Sequence, residues 1–241
     1  MLNELLDVIL PRECVVCGER LDRCERHICL HCLAGLPLTY TWNMAHNRIS
    51  DKFNETVQRD ISSYEPYIFA SSLFFYNGEA DYRKILYSLK YHGNMSLGKM
   101  FGYMLGKKIG KAGHFADINL VIPVPLHWTR KWKRGYNQAE TIAAAVARQL
   151  NADLETGLLY RKRRTKTQTR LNVVQKAANV ADAFAVREKR AGKILHDTGH
   201  ILLVDDVFTT GATLKACYLA LRRHFPASVR ISVATLGFVG D

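Results

Sequence analysis

One stretch indicates the fold of this chain most clearly, and it reads Ile201-Leu202-Leu203-Val204-Asp205-Asp206-Val207-Phe208-Thr209-Thr210-Gly211-Ala212-Thr213. Its first four residues are all apolar, which predicts a strand that is buried on both faces, as in a parallel sheet. Asp205 and Asp206 follow at the carboxyl end of this strand, where open α/β sheets bind their ligands. A turn rich in hydroxyl and backbone N–H groups comes next, and it comprises Thr209, Thr210, Gly211, Ala212 and Thr213.

The turn leads into a predicted helix, whose apolar face repeats at helical spacing through Leu214, Cys217, Tyr218 and Leu221. The start of a helix has unpaired N–H groups and a partial positive charge, so it favours an anion. Acids beside an anion site suit a sugar phosphate, because the acids can accept the ribose hydroxyls while the turn binds the 5′-phosphate. The alternative is a generic connection from strand to helix, which the order of apolar run, acid pair and Thr-Thr-Gly-x-Thr disfavours.

The rest of the chain repeats this α/β pattern. Residues 120–125 predict a strand that ends at its two prolines. A basic loop follows at 130–137, and an apolar stripe at helical spacing follows at 139–150. The other predicted elements are strands at 68–76 and 228–236 and helices at 82–89 and 95–108, the last weakened by the four glycines between Gly98 and Gly110. Right-handed crossovers between such units predict a parallel sheet flanked by helices, with its functional loops at one edge.

Composition and charge limit the class of protein and of partner. The chain has 241 residues, of which 48% are hydrophobic, enough for one medium domain and a small module. The formal net charge is +12, and basic residues cluster at 130–134 and 161–170. These clusters predict an anionic partner, either a polyphosphate or nucleic acid, and the alternative is a solvated basic face.

The sequence predicts a cytoplasmic protein without membrane insertion. No apolar run approaches the roughly 18 residues that a membrane span requires. Residues 1–10 predict a short amphipathic helix that ends at Pro11. Glu4 and Asp7 interrupt its apolar residues, and it lacks the basic start and the cleavage site of a signal peptide.

The cysteines predict a structural zinc site near the amino terminus. Five of the six lie before residue 33, and four of these form two Cys-x-x-Cys pairs, Cys14 with Cys17 and Cys29 with Cys32. Two such pairs can surround one tetrahedral zinc ion and supply the folding energy of a small module. Two disulfides are the alternative, which a cytosolic setting disfavours. Three further residues are open candidates to replace one ligand: Cys24, His27 and His31.

Two segments lack a sustained period. Residues 41–65 predict a linker with one helical turn between the cysteine module, residues 1–40, and the larger domain, residues 66–241. Residues 161–180 are polar and basic, and a long irregular segment inside a compact domain is often a functional lid. We expect a hood near 161–180 that closes over a bound polyphosphate; the alternative is a surface loop.

Several motifs together resemble the ComF family of competence-related proteins, in which a four-cysteine zinc module precedes a type I phosphoribosyltransferase domain. The resemblance covers nearly the whole chain. Besides the cysteine pairs and the stretch 201–213, which resembles the phosphoribosyl-pyrophosphate (PRPP) motif, the matching segments are Leu89-Lys90-Tyr91-His92-Gly93, Pro123-Val124-Pro125-Leu126, Arg134-Gly135-Tyr136-Asn137-Gln138 and Thr167-Gln168. Lys176 and Asp182 depart from the family pattern, which usually has Arg and Gly there.

The resemblance implies a PRPP site. Asp205 and Asp206 would be catalytic and would hold the ribose hydroxyls, with Mg²⁺ bridging these hydroxyls and the diphosphate, while residues 209–213 would bind the 5′-phosphate. A pyrophosphate loop and the hood would bind the diphosphate through Arg134, Gly135, Tyr136, Asn137, Arg164, Lys166 and Gln168. The implied reaction transfers a 5-phosphoribosyl group to an unidentified nitrogenous acceptor.

Other functions stay open from the sequence. Competence relatives act beside a DNA-translocating helicase, so the chain could be a non-catalytic accessory that binds single-stranded DNA or that helicase and senses PRPP. The sequence has no Gly-x-x-x-x-Gly-Lys-Ser/Thr loop and is therefore not the motor itself. A transferase fold kept only for protein contacts is disfavoured by the intact PRPP motif.

Overall fold

The computed structural model describes residues 11–61, 65–76, 81–126, 132, 134–162 and 183–240. Its strands are β1 (Ala70–Phe75), β2 (Leu120–Pro123), β3 (Asp153–Leu154), β4 (Leu159–Arg161), β5 (Phe184–Val186), β6 (His200–Phe208) and β7 (Arg230–Phe238). Five of them form one sheet in the order β1-β7-β6-β2-β3, in which every neighbouring pair is parallel. The predicted parallel sheet is confirmed, and its carboxyl ends meet at one edge.

Helices cover both faces of this sheet, as predicted. They are α1 (Leu30–Ala34), α2 (Arg48–Gln58), α3 (Arg83–Tyr91), α4 (Met95–Ile109), α5 (Gln138–Leu150), α6 (Glu188–Ile194) and α7 (Ala212–Arg222). Side chains alternate along β6: Leu202 and Val204 belong to the core that contains α3, α4 and α5, whereas Ile201 and Leu203 belong to the core that contains α2 and α7. Among the described helices, none has the length and apolar character needed to cross a bilayer.

The glycines that weaken the prediction of α4 allow its close contact with α5. A Cβ added at Gly102 would lie 2.7 Å from Ile142 O, and one added at Gly106 would lie 2.8 Å from Gln149 Cβ. Both distances are too short for any side chain. The lower helix propensity of glycine is therefore offset by backbone contact between the two helices.

The strand that carries the acid pair is longer than predicted. Four apolar residues predict a strand that ends before Asp205, but β6 continues to Phe208 because β7 runs beside it to Phe238. On the other side, the paired residues of β2 and β6 end at Pro123 and Val204. The acid pair therefore lies on a strand that β7 supports on one side and that is open on the other.

Residues 41–65 contain a buried three-turn helix where the sequence predicts a linker with one turn. Ile49, Phe53 and Val57 of α2 are at most 1% exposed. Asn47 caps the helix through Oδ1, which accepts from the N–H of Ile49 and of Ser50. The prediction of a single turn is corrected here, and three polar residues of this segment, Asn47, Ser50 and Asn54, are buried and donate to backbone carbonyls of Ala70 or Ile68.

A buried histidine at the amino end of β6 makes stability depend on pH. His200 is fully buried, with Nδ1 2.8 Å from Asp117 Oδ1 and Nε2 2.7 Å from Ser232 Oγ. Burial lowers the pKa of His200 to about 4. Asp117 is half-exposed and also pairs with Arg230, so burial outweighs its attraction for a proton on the ring. The ring is therefore neutral at pH 7.

We expect the free energy of unfolding to fall by up to about 3 kcal/mol between pH 6.5 and pH 4 because of His200. The unfolded histidine takes up a proton as the pH falls below about 6.5, whereas the folded ring does so only near pH 4. This stability is complete above pH 6.5 and is lost toward pH 4. Urea titrations of the wild type and of His200→Gln measure it, and an equal pH dependence of the two proteins would contradict the assignment.

Candidate functional site

A cavity of about 200 Å³ opens at the carboxyl edge of the sheet, between the end of α3 and the starts of α5 and α7. Its lining combines acids, bases, amides and hydroxyls: Asp205, Asp206, Lys90, Arg134, Arg161, Asn137, Gln138, Thr209 and Thr213. The structure thus brings the acid pair, two threonines of the turn and part of the basic loop to one place.

The two carboxylates of the acid pair differ in their partners. Asp206 Oδ2 lies 3.2 Å from Lys90 Nζ, whereas Asp205 Oδ1 accepts from the N–H of Asp206 at 2.8 Å. Burial and the charge of Asp206 hold the pKa of Asp205 well above its usual range, and the charges of Lys90 and Arg161 offset this only in part. Such a pair is suited to accept hydrogen bonds from neighbouring hydroxyls or to face a cation.

The turn after β6 leaves the start of α7 open. Gly211 is the N-cap residue, with φ +75°, and it provides no side-chain cap. Thr209 and Thr210 before it are exposed, and Thr210 Oγ1 accepts weakly from the N–H of Ala212 at 3.4 Å. An uncapped helix start with hydroxyls beside it is a suitable phosphate site.

We expect Gly211→Ala to destabilise the protein by about 1–2 kcal/mol and to weaken binding of ribose 5-phosphate. The left-handed φ is unfavourable for alanine, and its Cβ would lie 2.9 Å from Phe208 Cζ. Thermal melting with and without ribose 5-phosphate measures both effects. Gly192→Ala on α6 is the control, because its Cβ would meet open space. Wild-type stability of Gly211→Ala would refute this account of the turn.

Arg134 and Gly135 lie in the basic loop before α5. The Arg134 guanidinium carbon lies 5.3 Å from the ring centre of Tyr91, and its Nη1 donates to Gln138 Oε1 at 3.1 Å. Gly135 has φ +78°, a conformation that side chains disfavour. Arg134 is therefore held at the cavity as a positive charge, and Gly135 lets the backbone turn beside it.

Tyr136 and Asn137 use their side chains to fix this loop. The Tyr136 hydroxyl donates to the carbonyl of Leu89 at the end of α3. Asn137 is buried, caps α5 by accepting from the N–H of Ala139 at 3.2 Å, and donates from Nδ2 to Val124 O at 3.0 Å. These side chains already have partners, so the loop offers an anion chiefly Arg134 and backbone N–H groups.

Two basic residues of the cavity are not among the residues singled out from the sequence. Lys90 at the end of α3 pairs with Asp206. Arg161 at the end of β4 lines the same cavity, with its guanidinium carbon 5.2 Å from the ring centre of Phe184. Lys90 lies within a motif of the family resemblance and Arg161 begins a basic run, but only the fold shows that both reach the acid pair.

The remaining predicted site residues, Arg164, Lys166 and Gln168, lie outside the described residues, as do Lys176 and Asp182. Both ends of this segment are described. β4 and β5 pair in antiparallel fashion, and the N–H of Lys162 donates to Ala183 O at 2.7 Å. The predicted hood therefore begins and ends at one two-stranded ribbon beside the cavity, and the hood itself stays a prediction.

The four predicted zinc ligands lie together. The sulfur atoms of Cys14, Cys17, Cys29 and Cys32 are all within 4.8 Å of one another, and these cysteines are free thiols. The N–H groups of Cys29 and Cys32 donate to Cys14 Sγ and Cys29 Sγ at 3.4 Å each. Such contacts stabilise thiolates, the form that binds metal. The donor set fits Zn²⁺, and the other candidate ligands near it in sequence, Cys24, His27 and His31, are not part of the cluster.

Helix α3 connects this cysteine cluster to the cavity. At its start, the Tyr82 hydroxyl donates to Cys32 O at 3.1 Å and Lys84 Nζ donates to Val16 O at 2.8 Å. At its end, Lys90 pairs with Asp206. Cys14, Val16 and Cys32 also share one buried core with Ile85, Leu86 and Leu89 of α3. The cysteine module is thus part of the support of α3.

This chain is similar to one domain family and to several known proteins. Residues 137–236 match the phosphoribosyl transferase domain family. Competence protein F of Haemophilus influenzae is 35% identical over 103 residues, which are 43% of this chain and 44% of that protein. DNA utilization protein YhgH of Shigella flexneri is 26% identical over 223 residues, which are 90% of this chain and 87% of that protein. These matches agree with the resemblance of this chain to the ComF family.

The matches extend over different parts of this chain. The domain match contains the acid pair, the turn and α5, but it begins after α3 and the cysteine cluster. YhgH of Escherichia coli K12, 25% identical over 223 residues, covers 90% of the chain and 87% of its own length. The chain spans less than half of the Haemophilus protein. The family resemblance found in the sequence is confirmed.

Proposed function

We propose that this protein binds PRPP and transfers its 5-phosphoribosyl group to a nitrogenous acceptor, in a process linked to DNA uptake or use. The cavity carries the proposal, because it combines an acid pair, an uncapped helix start and basic residues. PRPP has a group for each: vicinal hydroxyls, a 5′-phosphate and a diphosphate. The domain match supports PRPP, and the relatives' names support the link to DNA.

Each side chain has a role in the proposed transfer. Asp205 and Asp206 would accept hydrogen bonds from the ribose hydroxyls and stabilise the positive charge that develops at C1. Residues 209–213 would hold the 5′-phosphate, while Arg134, with Arg164, Lys166 and Gln168 of the hood, would stabilise the departing diphosphate. The bond from C1 to the diphosphate oxygen breaks, the acceptor nitrogen bonds to C1, and the acceptor's proton passes to solvent.

The acid pair fits Mg²⁺, and the cysteine cluster fits Zn²⁺. Carboxylates and diphosphate oxygens are ligands that Mg²⁺ prefers, so Mg²⁺ bound with PRPP beside Asp205 and Asp206 would neutralise the diphosphate. Four thiolates fill the tetrahedral shell of Zn²⁺ and leave no position for a reacting water, so the zinc would be structural.

Release of pyrophosphate tests the transfer. Protein loaded with zinc is incubated with Mg²⁺, PRPP and a series of nitrogenous acceptors, including nucleobases and ammonia. We expect one class of acceptor to accelerate release in the wild type and none to do so in Asp205→Asn. If the wild type binds PRPP but no acceptor accelerates release, the transfer is refuted and PRPP binding alone is left.

A second candidate function is binding of single-stranded DNA without turnover, and one surface favours it. A groove of about 440 Å³ lies between the cysteine module, α4 and α5. Its lining includes Arg26, Lys99 and Arg148, together with Tyr103, which is 47% exposed. Basic side chains beside an exposed aromatic ring suit the phosphates and bases of a single strand.

Anisotropy of a labelled thymidine oligonucleotide tests this candidate. Binding should weaken steeply with salt and should weaken further in Lys99→Ala and Arg148→Ala. Lys189→Ala, an exposed lysine on α6, is the control for loss of charge alone. Absence of binding at low salt would remove this candidate function.

A further inference from the structure

We propose that Gln138 binds the substrate in the cavity by donating a hydrogen bond from Nε2 to an oxygen of the diphosphate. This inference rests on the proposed function and adds a residue to the site. Gln138 is the first residue of α5, it is 3% exposed, and it lines the cavity.

The two ends of the Gln138 amide differ in their partners. Oε1 accepts from Arg134 Nη1 at 3.1 Å, whereas Nε2 is buried and has no hydrogen-bond partner among the described residues. Burial raises the pKa of the nearby Tyr136 hydroxyl, and the Gln138 amide lowers it, so these two side chains lie close together. Their contact does not have the geometry of a hydrogen bond, and no other acceptor of the described part of the chain pairs with Nε2. Buried amide donors nearly always have a partner, so an unpaired one at a cavity indicates that a bound group supplies it.

The orientation of this amide is fixed by Arg134. A flipped amide would place its N–H₂ group against the guanidinium, which has only donors, and would lose the bond to Oε1. The unpaired atom is therefore a donor and not an acceptor. The neighbouring Asn137 shows the contrast, since its Oδ1 and Nδ2 both have protein partners.

The surrounding charges favour an anionic acceptor for this donor. Arg134 lies on the same wall of the cavity, and Lys90 lines it as well. A diphosphate oxygen can accept from the guanidinium and the amide at once, and hydrogen bonds of this kind to charged oxygens are the stronger ones. A neutral sugar hydroxyl would leave the positive charge of Arg134 without an anion.

Two variants of Gln138 test the proposal by calorimetry with inorganic pyrophosphate, PRPP and ribose 5-phosphate in Mg²⁺. Gln138→Glu keeps an oxygen for Arg134 and replaces the donor by an acceptor, so it should weaken pyrophosphate and PRPP about 100-fold. Gln138→Met removes the amide without adding charge and should weaken both about 10-fold. Ribose 5-phosphate lacks the diphosphate, and Gln138→Met should change its affinity less than about threefold.

The outcomes separate this inference from the proposed function. Gln58→Glu, an exposed residue at the end of α2, controls for the added charge. Gln138→Met removes the buried unpaired donor together with the acceptor of Arg134, so it should melt close to the wild-type temperature and keeps the test valid if Gln138→Glu misfolds. If Gln138→Met binds PRPP and pyrophosphate as tightly as the wild type does, the inference is overturned and the PRPP site stands. If the wild type binds neither ligand, both are overturned.

Discussion

Replacement of Asp205 by Asn should weaken PRPP binding at least about 100-fold and raise the stability of the free protein. The carboxylate can accept from two ribose hydroxyls, whereas the asparagine amide turns a donor toward them. The gain in stability has a separate cause. Burial and the charge of Asp206 raise the pKa of Asp205, so the folded state disfavours its charged form at neutral pH, and a neutral amide removes that cost.

The size of the stability gain follows from the same pKa. When the pKa of a group differs by one between the folded and unfolded states, the free energy of unfolding changes by about 1.4 kcal/mol. We therefore expect Asp205→Asn to gain about 1 kcal/mol or more at pH 7. A carboxyl with a raised pKa costs nothing below its unfolded pKa and costs progressively more as the pH rises toward its folded pKa, so the gain should vanish near pH 4.

Calorimetry with PRPP in Mg²⁺ and thermal melting at pH 4 and pH 7 measure the two effects of Asp205→Asn. Asp153→Asn, an exposed acid on β3, is the matched control and should change neither property. A stable variant with unchanged PRPP affinity would remove Asp205 from the site. A variant that is less stable at pH 7 would contradict the origin of its raised pKa.

Removal of zinc should have the largest effect on stability, and it should also lower the affinity of the cavity for PRPP. We expect a fall in melting temperature of about 10 °C or more, because a structural zinc supplies much of the folding energy of a small module. Cys14, Val16 and Cys32 share a buried core with α3, and Lys84 and Tyr82 bond to the module's backbone. Loss of the module's fold should therefore free the start of α3.

The effect on the cavity would pass through Lys90. Its ion pair with Asp206 depends on the position of α3, so a loosened helix should lower PRPP affinity. Cys14→Ser and chelation test this by zinc content, melting temperature and calorimetry. Cys24→Ser is the control, since Cys24 is exposed and lies outside the cluster. If Cys24→Ser loses as much zinc as Cys14→Ser does, the ligand set is wrong; if PRPP affinity survives zinc loss, α3 does not couple the two sites.

The sequence predicts well the features that depend on residues close together in the chain. The apolar run before Asp205 and the helical spacing after Gly211 are patterns of neighbouring residues, and a strand and a helix form at these places, although the strand extends past the apolar run. The cysteine cluster is similar, because two short Cys-x-x-Cys pairs carry their own spacing.

The features that sequence reasoning missed depend on partners distant in the chain. Read from the sequence alone, Asn54 suggests a linker. In the fold its Oδ1 accepts from the N–H of Ile68 at 2.9 Å, and its Nδ2 donates to the carbonyl of Ile68 at 2.8 Å. These two hydrogen bonds allow α2 to be buried. Lys90 resembles any basic residue at a helix end until the fold places it 3.2 Å from Asp206. A sequence does not show which backbone or charge will meet such a polar side chain.

Calorimetric titration of the zinc-loaded protein with PRPP in Mg²⁺ tests the assignment of the cavity most directly. We expect saturable binding at one site per chain, competed by pyrophosphate and by ribose 5-phosphate. A folded, zinc-loaded protein that shows no binding at any PRPP concentration would contradict the PRPP site and would leave DNA binding as the function to test.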